Sequence, residues 1–270
     1  MRGQGGRLRL SAVVAVAALA PLLAEPVARA EQVTQLVLGE SAAVLERQGE
    51  WRRVRTRADG YEAWVHRGYL RELADGQADE WIARANLWSE GAELDAGGAL
   101  MRLPLRARVA AAGEELLLPD DRRARVVRGR VRAFDAVAAE ALALPPEEWA
   151  ARHFMGAPYQ WGGVTPWGVD CSGMVQTTYA ARGVAVPRDS AHQAEVGEPV
   201  PLDAVRPGDL LFFRGESGPR ISHVAFAGAD DTLVHATLAC GGVLREPWGE
   251  GTRAAPLRAR LVAARRWAPA

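Results

Sequence analysis

The sequence predicts an α+β C-terminal domain, an antiparallel sheet packed on helices, preceded by one or two small all-β barrels. Three observations carry that prediction. Short apolar bursts separated by turn residues fill the stretch from 32 to 70, the pattern of closely spaced strands. A glycine-rich run at 159–168 opens into a segment of helical composition, 172–182, that stops at Gly183. Two strand-like segments, 221–227 and 232–236, then flank Gly228-Ala229-Asp230-Asp231, a tight-turn signal.

From the N-terminus, Arg2, Arg7 and Arg9 precede a mostly apolar run over 10–24, and Ala28-Arg29-Ala30 fits a small-residue cleavage signal. Residues 1–30 therefore read in two ways. The preferred reading is an export signal, with an extracytoplasmic protein. The other takes 18–26 as the first strand of the next domain, which suits a cytoplasmic one. Residues 31–76 read as the first barrel, with bursts at 33–38, 43–45, 51–55 and 63–65 and a hairpin at Asp59-Gly60. Trp51 and Trp64 are expected in its core. Weaker strand signals over 85–88, 103–105, 108–109, 115–118 and 125–127 predict a second barrel across 78–135. An alanine-rich stretch and Pro145-Pro146 mark 136–150 as a linker ending in a helix start. A helix over 147–154 leads into the glycine-rich turn of the last domain, 151–270. A short helix over 191–196 follows Asp189-Ser190, with His192 and Gln193 on its surface. Asp209 caps a turn before a buried strand at 210–213.

Hydrophobic residues make up 49% of the 270 and charged residues 24%, a globular composition. The formal net charge is +0, so no basic field is available for nucleic acid. All 33 basic residues are Arg, which excludes lysine Schiff-base and Walker-type chemistry. No stable membrane insertion is expected, because no segment past the N-terminal run is long and apolar enough to span a bilayer. The chain is expected to be a monomer.

Cys171 sits where a turn opens into a helix, and the positive end of the helix dipole is expected to lower its pKa. That favours a nucleophile over a structural thiol. Adjacent antiparallel strands would put His223 and His235 on one face. His223 would take the thiol proton or hold it in an imidazolium–thiolate pair. His235 would bond the other ring nitrogen and fix the tautomer, the logic of a triad. A zinc site built on the same three residues lacks any accompanying Cys-x-x-Cys or His-x-x-x-His spacing, and no metal or organic cofactor is expected. The second cysteine, Cys240, reads as a small residue in a turn. Both thiols are expected reduced, since a disulfide would silence the nucleophile.

The run Tyr159, Trp161-Gly162-Gly163, Asp170-Cys171-Ser172-Gly173, Pro187-Arg188-Asp189-Ser190, Arg206-Pro207-Gly208-Asp209, Ser222-His223-Val224 and Val234-His235-Ala236 resembles the NlpC-type cysteine peptidases of bacterial cell-wall turnover, a papain-like family. The pattern Glu50-Trp51, Asp59-Gly60-Tyr61-Glu62-Ala63-Trp64-Val65 and Gly68-Tyr69 resembles a bacterial SH3-type domain, with Ala63 where glycine is commoner. The resemblance implies a nucleophile at Cys171, a base at His223 and an orienting group at His235. It also implies that Tyr159 lines the site near the oxyanion, and that Asp170, Ser172, Ser222, Asp189 and Ser190 help hold substrate. Asp189-Ser190 reads equally as a helix cap. Trp161 and Trp167 either line the cleft or pack beneath it. Glu25, Tyr61, Glu62 and Tyr69 form a candidate recognition surface on the first barrel. SH3-type modules joined to such a domain resemble γ-D-glutamyl-L-diamino-acid endopeptidases, whose partners are peptidoglycan stem peptides or muropeptides. An amidase or acyltransferase on another acyl substrate, and an inactive wall-binding protein, are the alternatives.

Overall fold

The computed structural model describes residues 10–74, 76–216 and 218–267. Arg2, Arg7 and Arg9 of the signal-like N-terminus lie outside them. The chain divides into two compact units, with the boundary after Ala133.

In the N-terminal unit, β1 (Leu10–Ala15), β2 (Leu19–Leu23), β3 (Gln32–Val37), β4 (Ser41–Gln48), β5 (Trp51–Thr56), β6 (Glu62–His66) and β7 (Leu70–Ala74) form one antiparallel sheet in the order β3-β2-β6-β5-β4-β1-β7. Its core is made of small aliphatic side chains, among them Val13, Ala20, Leu22, Leu36, Val54, Ala63 and Val65. Trp51 and Trp64 are not in that core. Alternation along a strand sends neighbours to opposite faces. Because Ala63 and Val65 point inward, Trp64 points away, and the same holds for Trp51 beside Arg52 and Val54. Strands β1 and β2 precede residue 31, so cleavage after Ala30 would take the buried Val13, Ala15, Ala20 and Leu22 from this core.

The next segment begins with a helix absent from the expected second barrel, α1 (Gln77–Arg84), with Asp79 and Glu80 in its first turn and Arg84 in its last. It buries Ala78 and Trp81, and the Trp81 indole N–H donates to the Gly39 carbonyl at 2.8 Å. Then β8 (Leu87–Asp95), β9 (Leu100–Ala112), β10 (Glu115–Leu117) and β11 (Arg123–Ala133) close into a four-stranded barrel.

The C-terminal unit opens with two helices, α2 (Phe134–Leu142) and α3 (Pro146–Phe154), so most of 136–150 is helical and not a linker. Short strands β12 (Val164–Thr165) and β13 (Gly168–Val169) form the arms of the glycine-rich turn. Helix α4 (Cys171–Ala180) follows, then α5 (Ser190–Gln193). The sheet holds β14 (Glu198–Pro199), β15 (Leu210–Arg214), β16 (Ile221–Gly228), β17 (Thr232–Thr237), β18 (Gly242–Pro247) and β19 (Leu261–Arg266), in the order β14-β19-β15-β16-β17-β18. Every pairing in it is antiparallel. Phe212, Phe213, Phe226, Val224 and Val234 are fully buried. The turn cap expected at Asp209 is present: its carboxylate accepts from the Arg206 N–H at 2.8 Å and from Arg266.

Helix α4 has no polar face, and Cys171 to Tyr179 are all buried. Most of its buried side-chain polar groups have partners, and the Tyr179 hydroxyl has none among the described residues. Thr177 Oγ1 donates to the Val164 carbonyl at 2.7 Å and Thr178 Oγ1 to that of Met174 at 2.8 Å. The helix is therefore enclosed by protein along the whole stretch that carries the thiol. Among the described residues no helix is long and apolar enough to cross a membrane.

One buried carboxyl works against this unit. Glu147, in the first turn of α3, is 3% exposed and its Oε2 has no partner. Burial raises its pKa above the ordinary carboxylate value. A raised folded-state pKa penalises the fold above that pKa and relieves it below the unfolded value. Glu147→Gln is therefore expected to raise the melting temperature at pH 7, with the difference shrinking as pH falls through the carboxylate range. Thermal melts of both proteins across that range check it.

Candidate active site

The site is assembled from a helix start and a sheet face. Asp170 is the N-cap of α4, extended at φ −99° and ψ 177°, and its carboxylate accepts from the Gly173 N–H at 2.7 Å. The same carboxylate accepts from the Gly162 N–H at 2.7 Å, from Ser172 Oγ at 3.3 Å, and from both Nη groups of Arg188 at 3.0 and 2.6 Å. Arg188 also reaches Ser172 Oγ at 2.9 Å and the Gly163 carbonyl at 3.4 Å. Both residues are nearly buried, Asp170 at 4% and Arg188 at 2%. Asp170 and Ser172 thus have protein partners at every polar atom, and they brace the turn that presents Cys171. Backbone packs on backbone here: a Cβ on Gly173 would collide with the Gly163 carbonyl oxygen.

Cys171 is a free, buried thiol. The backbone N–H groups of Val224 and Ser172 face its sulfur. Val224 follows His223 on β16, so the thiol lies against the strand that carries His223. His223 Nε2 meets His235 Nδ1 at 2.8 Å, and His235 Nε2 meets Glu246 Oε1 at 2.7 Å. Adjacent strands place these three side chains in a row. Ala225 would lie opposite His235 by continuation of the Phe226–Val234 register, and Glu246 pairs with Leu233, two residues before His235. With Nε2 occupied, Nδ1 is the His223 nitrogen open to the thiol.

Burial controls the charges. It pushes the Cys171 thiol up to about 12, and the Asp170 carboxylate adds to the rise. Burial, then His235, Arg260 and Arg253, pushes His223 down to about 3. Burial also lowers His235, against the pull of Glu246. The expected depression of the thiol pKa is therefore reversed, because desolvation of a buried thiolate outweighs the helix dipole. Burial thus favours the neutral thiol and the neutral imidazole.

The remaining predicted residues fall as follows. Tyr159 is half-buried near Cys171 and Asp170, and burial followed by those two charges raises its phenol pKa. Ser190 is buried, and Asp189 is the N-cap of α5 without a side-chain cap bond. Gln193 is fully buried rather than on the surface, and its Nε2 donates to the Ser172 and Pro187 carbonyls at 3.0 and 2.8 Å. Trp161 and Trp167 are 56% and 40% exposed, so neither packs beneath the turn. Ser222 is exposed at the start of β16. In the N-terminal unit, Glu25 is exposed and Tyr61 packs on the barrel core. Glu62 is paired with Arg53 and Arg55, and the Arg55 hydrogen bond leads in holding its carboxyl below the ordinary value. Two groups escaped the sequence reading: Arg188 as the partner of Asp170, and Glu246 behind His235. Neither contact has a local spacing that would reveal it.

A thiol at a helix start, set against an imidazole pair on an antiparallel sheet, defines a papain-like thiol hydrolase. The NlpC/P60 family model matches residues 156–255, and the bacterial dipeptidyl-peptidase Sh3 domain model matches residues 22–70. The γ-D-glutamyl-L-lysine dipeptidyl-peptidase of Bacillus subtilis (strain 168) is 31% identical over 217 residues, covering 75% of this chain and 71% of the relative. A protein of the same name from Bacillus cereus is 27% identical over 230 residues, 76% of this chain and 67% of the relative. The crystal structure of an NlpC/P60 family protein from Bacillus cereus shares the fold, with a TM-score of 0.78 at 22% identity over 95% of this chain and 99% of that one. The chain belongs to the NlpC/P60 family.

Two outcomes follow from this geometry. Alkylation of Cys171 by iodoacetamide should be slow at neutral pH and accelerate continuously into the alkaline range, as the neutral thiol requires. A rate plateau reached already in mild acid would show a preformed ion pair instead. Arg188→Met leaves Asp170 as an unpaired buried charge, which costs about 3–5 kcal/mol. Urea denaturation followed by tryptophan fluorescence measures that loss.

Proposed function

We propose that the chain is a cysteine peptidase that hydrolyses the γ-D-glutamyl–diamino acid bond of peptidoglycan stem peptides through a thioester on Cys171. The observation that carries this reading is the 2.8 Å contact between His223 Nε2 and His235 Nδ1, on the strand that flanks the thiol. It leaves one imidazole nitrogen directed to a proton that must leave sulfur. The bond is inferred from two relatives named γ-D-glutamyl-L-lysine dipeptidyl-peptidases. That name also supports a short substrate with a free N-terminus, from which a dipeptide is released.

The chemistry follows from the groups in place. His223 takes the Cys171 proton as the sulfur attacks the γ-glutamyl carbonyl. General-base removal suits a resting thiol, because the charge separates only as the carbon–sulfur bond forms. The Cys171 N–H, at the start of α4, is a donor for the oxyanion. His223 then gives its proton to the departing amine of the diamino acid. Water, deprotonated by His223, hydrolyses the thioester and restores the thiol.

The test is incubation of the purified protein with L-Ala-γ-D-Glu-L-Lys and L-Ala-γ-D-Glu-meso-diaminopimelate, beside Cys171→Ala, with products read by mass spectrometry. Release of the free diamino acid by the wild type alone is the expected result. His235→Ala should lower the rate without abolishing it. Release by Cys171→Ala at the wild-type rate would overturn the assignment of the nucleophile. A different product from the wild type would point to the amidase or acyltransferase alternative.

A further inference from the structure

We infer that Glu246 is a positioning residue, whose carboxylate sets the tautomer of both imidazoles and so leaves Nδ1 of His223 bare to receive the thiol proton. The inference rests on the reading of His223 as the base. Glu246 lies on β18, is 8% exposed, and has no place in the thiol–imidazole–imidazole set. What it controls is direction. Each neutral imidazole carries one N–H and one bare nitrogen, and a contact between two ring nitrogens needs one of each. The His223–His235 contact alone can therefore run either way.

Glu246 removes that ambiguity. Arg253 donates to its Oε2 from Nε at 3.0 Å and also reaches Oε1 through Nη2. A carboxylate gripped by a guanidinium fork only accepts. His235 Nε2, 2.7 Å from Oε1, must then be the protonated nitrogen. His235 Nδ1 is consequently bare and accepts from His223 Nε2–H. Nδ1 of His223 is the bare nitrogen that remains. The opposite tautomers would put a proton on that Nδ1 and block it as a base. The register explains the reach: Glu246 and His235 are diagonal neighbours on one face of adjacent strands, within range of long side chains.

Glu246→Leu tests the direction. It removes the acceptor that meets His235 Nε2, and the His223–His235 contact is then free to run either way.

The experiment is 15N–1H correlation spectroscopy of the full chain labelled at histidine, with the rings assigned through His223→Ala and His235→Ala. In the wild type, Nε2 of both rings should be protonated and Nδ1 of both bare. In Glu246→Leu protonated Nδ1 should appear in both rings, and kcat should fall by up to the ~10⁴-fold of a wrong tautomer, with KM unchanged. A purely structural role for Glu246 would leave the proton positions as they are in the wild type. Protonated Nδ1 in either wild-type ring overturns the inference, as does Glu246→Leu with unchanged tautomers. Should Glu246→Leu fail to fold, the wild-type spectrum decides. The spectrum reads proton positions whether or not the chosen peptide is cleaved, so failure here is distinct from failure of the proposed activity.

Discussion

The buried pair of Asp170 and Arg188 is the constraint on which the catalytic unit depends. A carboxylate at 4% exposure is tolerable only if its charge is met and its lone pairs are filled. Here the guanidinium meets the charge, while two backbone N–H groups and a hydroxyl fill the remaining sites. Those partners come from residues 162, 172, 173 and 188. One charge pair therefore ties the glycine-rich turn, the first turn of α4 and the approach to α5 to a single point. The thiol lies one residue from that point, and its backbone N–H takes its direction from the same cap.

The base side is organised differently. His223, His235 and Glu246 stand on three consecutive strands of a sheet whose interior is filled by phenylalanine and aliphatic side chains. Side chains on such a surface have few rotamers open to them. The thiol thus rides on a capped helix and the imidazoles on a packed sheet, and α4 lying against β16 brings them together. Enclosure has an electrostatic consequence. The same burial that fixes these groups raises the thiol and lowers the imidazole, and so disfavours charge on either.

Much of this was legible in the residues. Asp170-Cys171-Ser172 after a glycine-rich run carries both cap and nucleophile, because capping is a local matter of a few residues. The histidine strands and their turn were legible for the same reason, as was the Asp59-Gly60 hairpin, where Gly60 has φ +73°. Where the reading failed, competing interactions lay far along the chain. Alternating burial turned Trp51 and Trp64 out of a barrel core made of smaller side chains. The alanine-rich stretch before the catalytic turn became helix because α2 buries Val137 and Ala141 and α3 buries Trp149 and Phe154. Gln193 was drawn inside by two carbonyls whose positions no spacing within α5 reveals.

The order of residues along the chain was enough to single out the thiol and the two imidazoles that the fold brings together, because each sits in a local signal. It could not say which way protons point along the histidine row, or in which direction burial moves the thiol. Those depend on Glu246 standing 11 residues beyond His235, on Arg188 standing 18 beyond Asp170, and on how much protein encloses them. Hydrogen-bond direction and desolvation are properties of what surrounds a group in space, and only the folded chain supplies that surrounding.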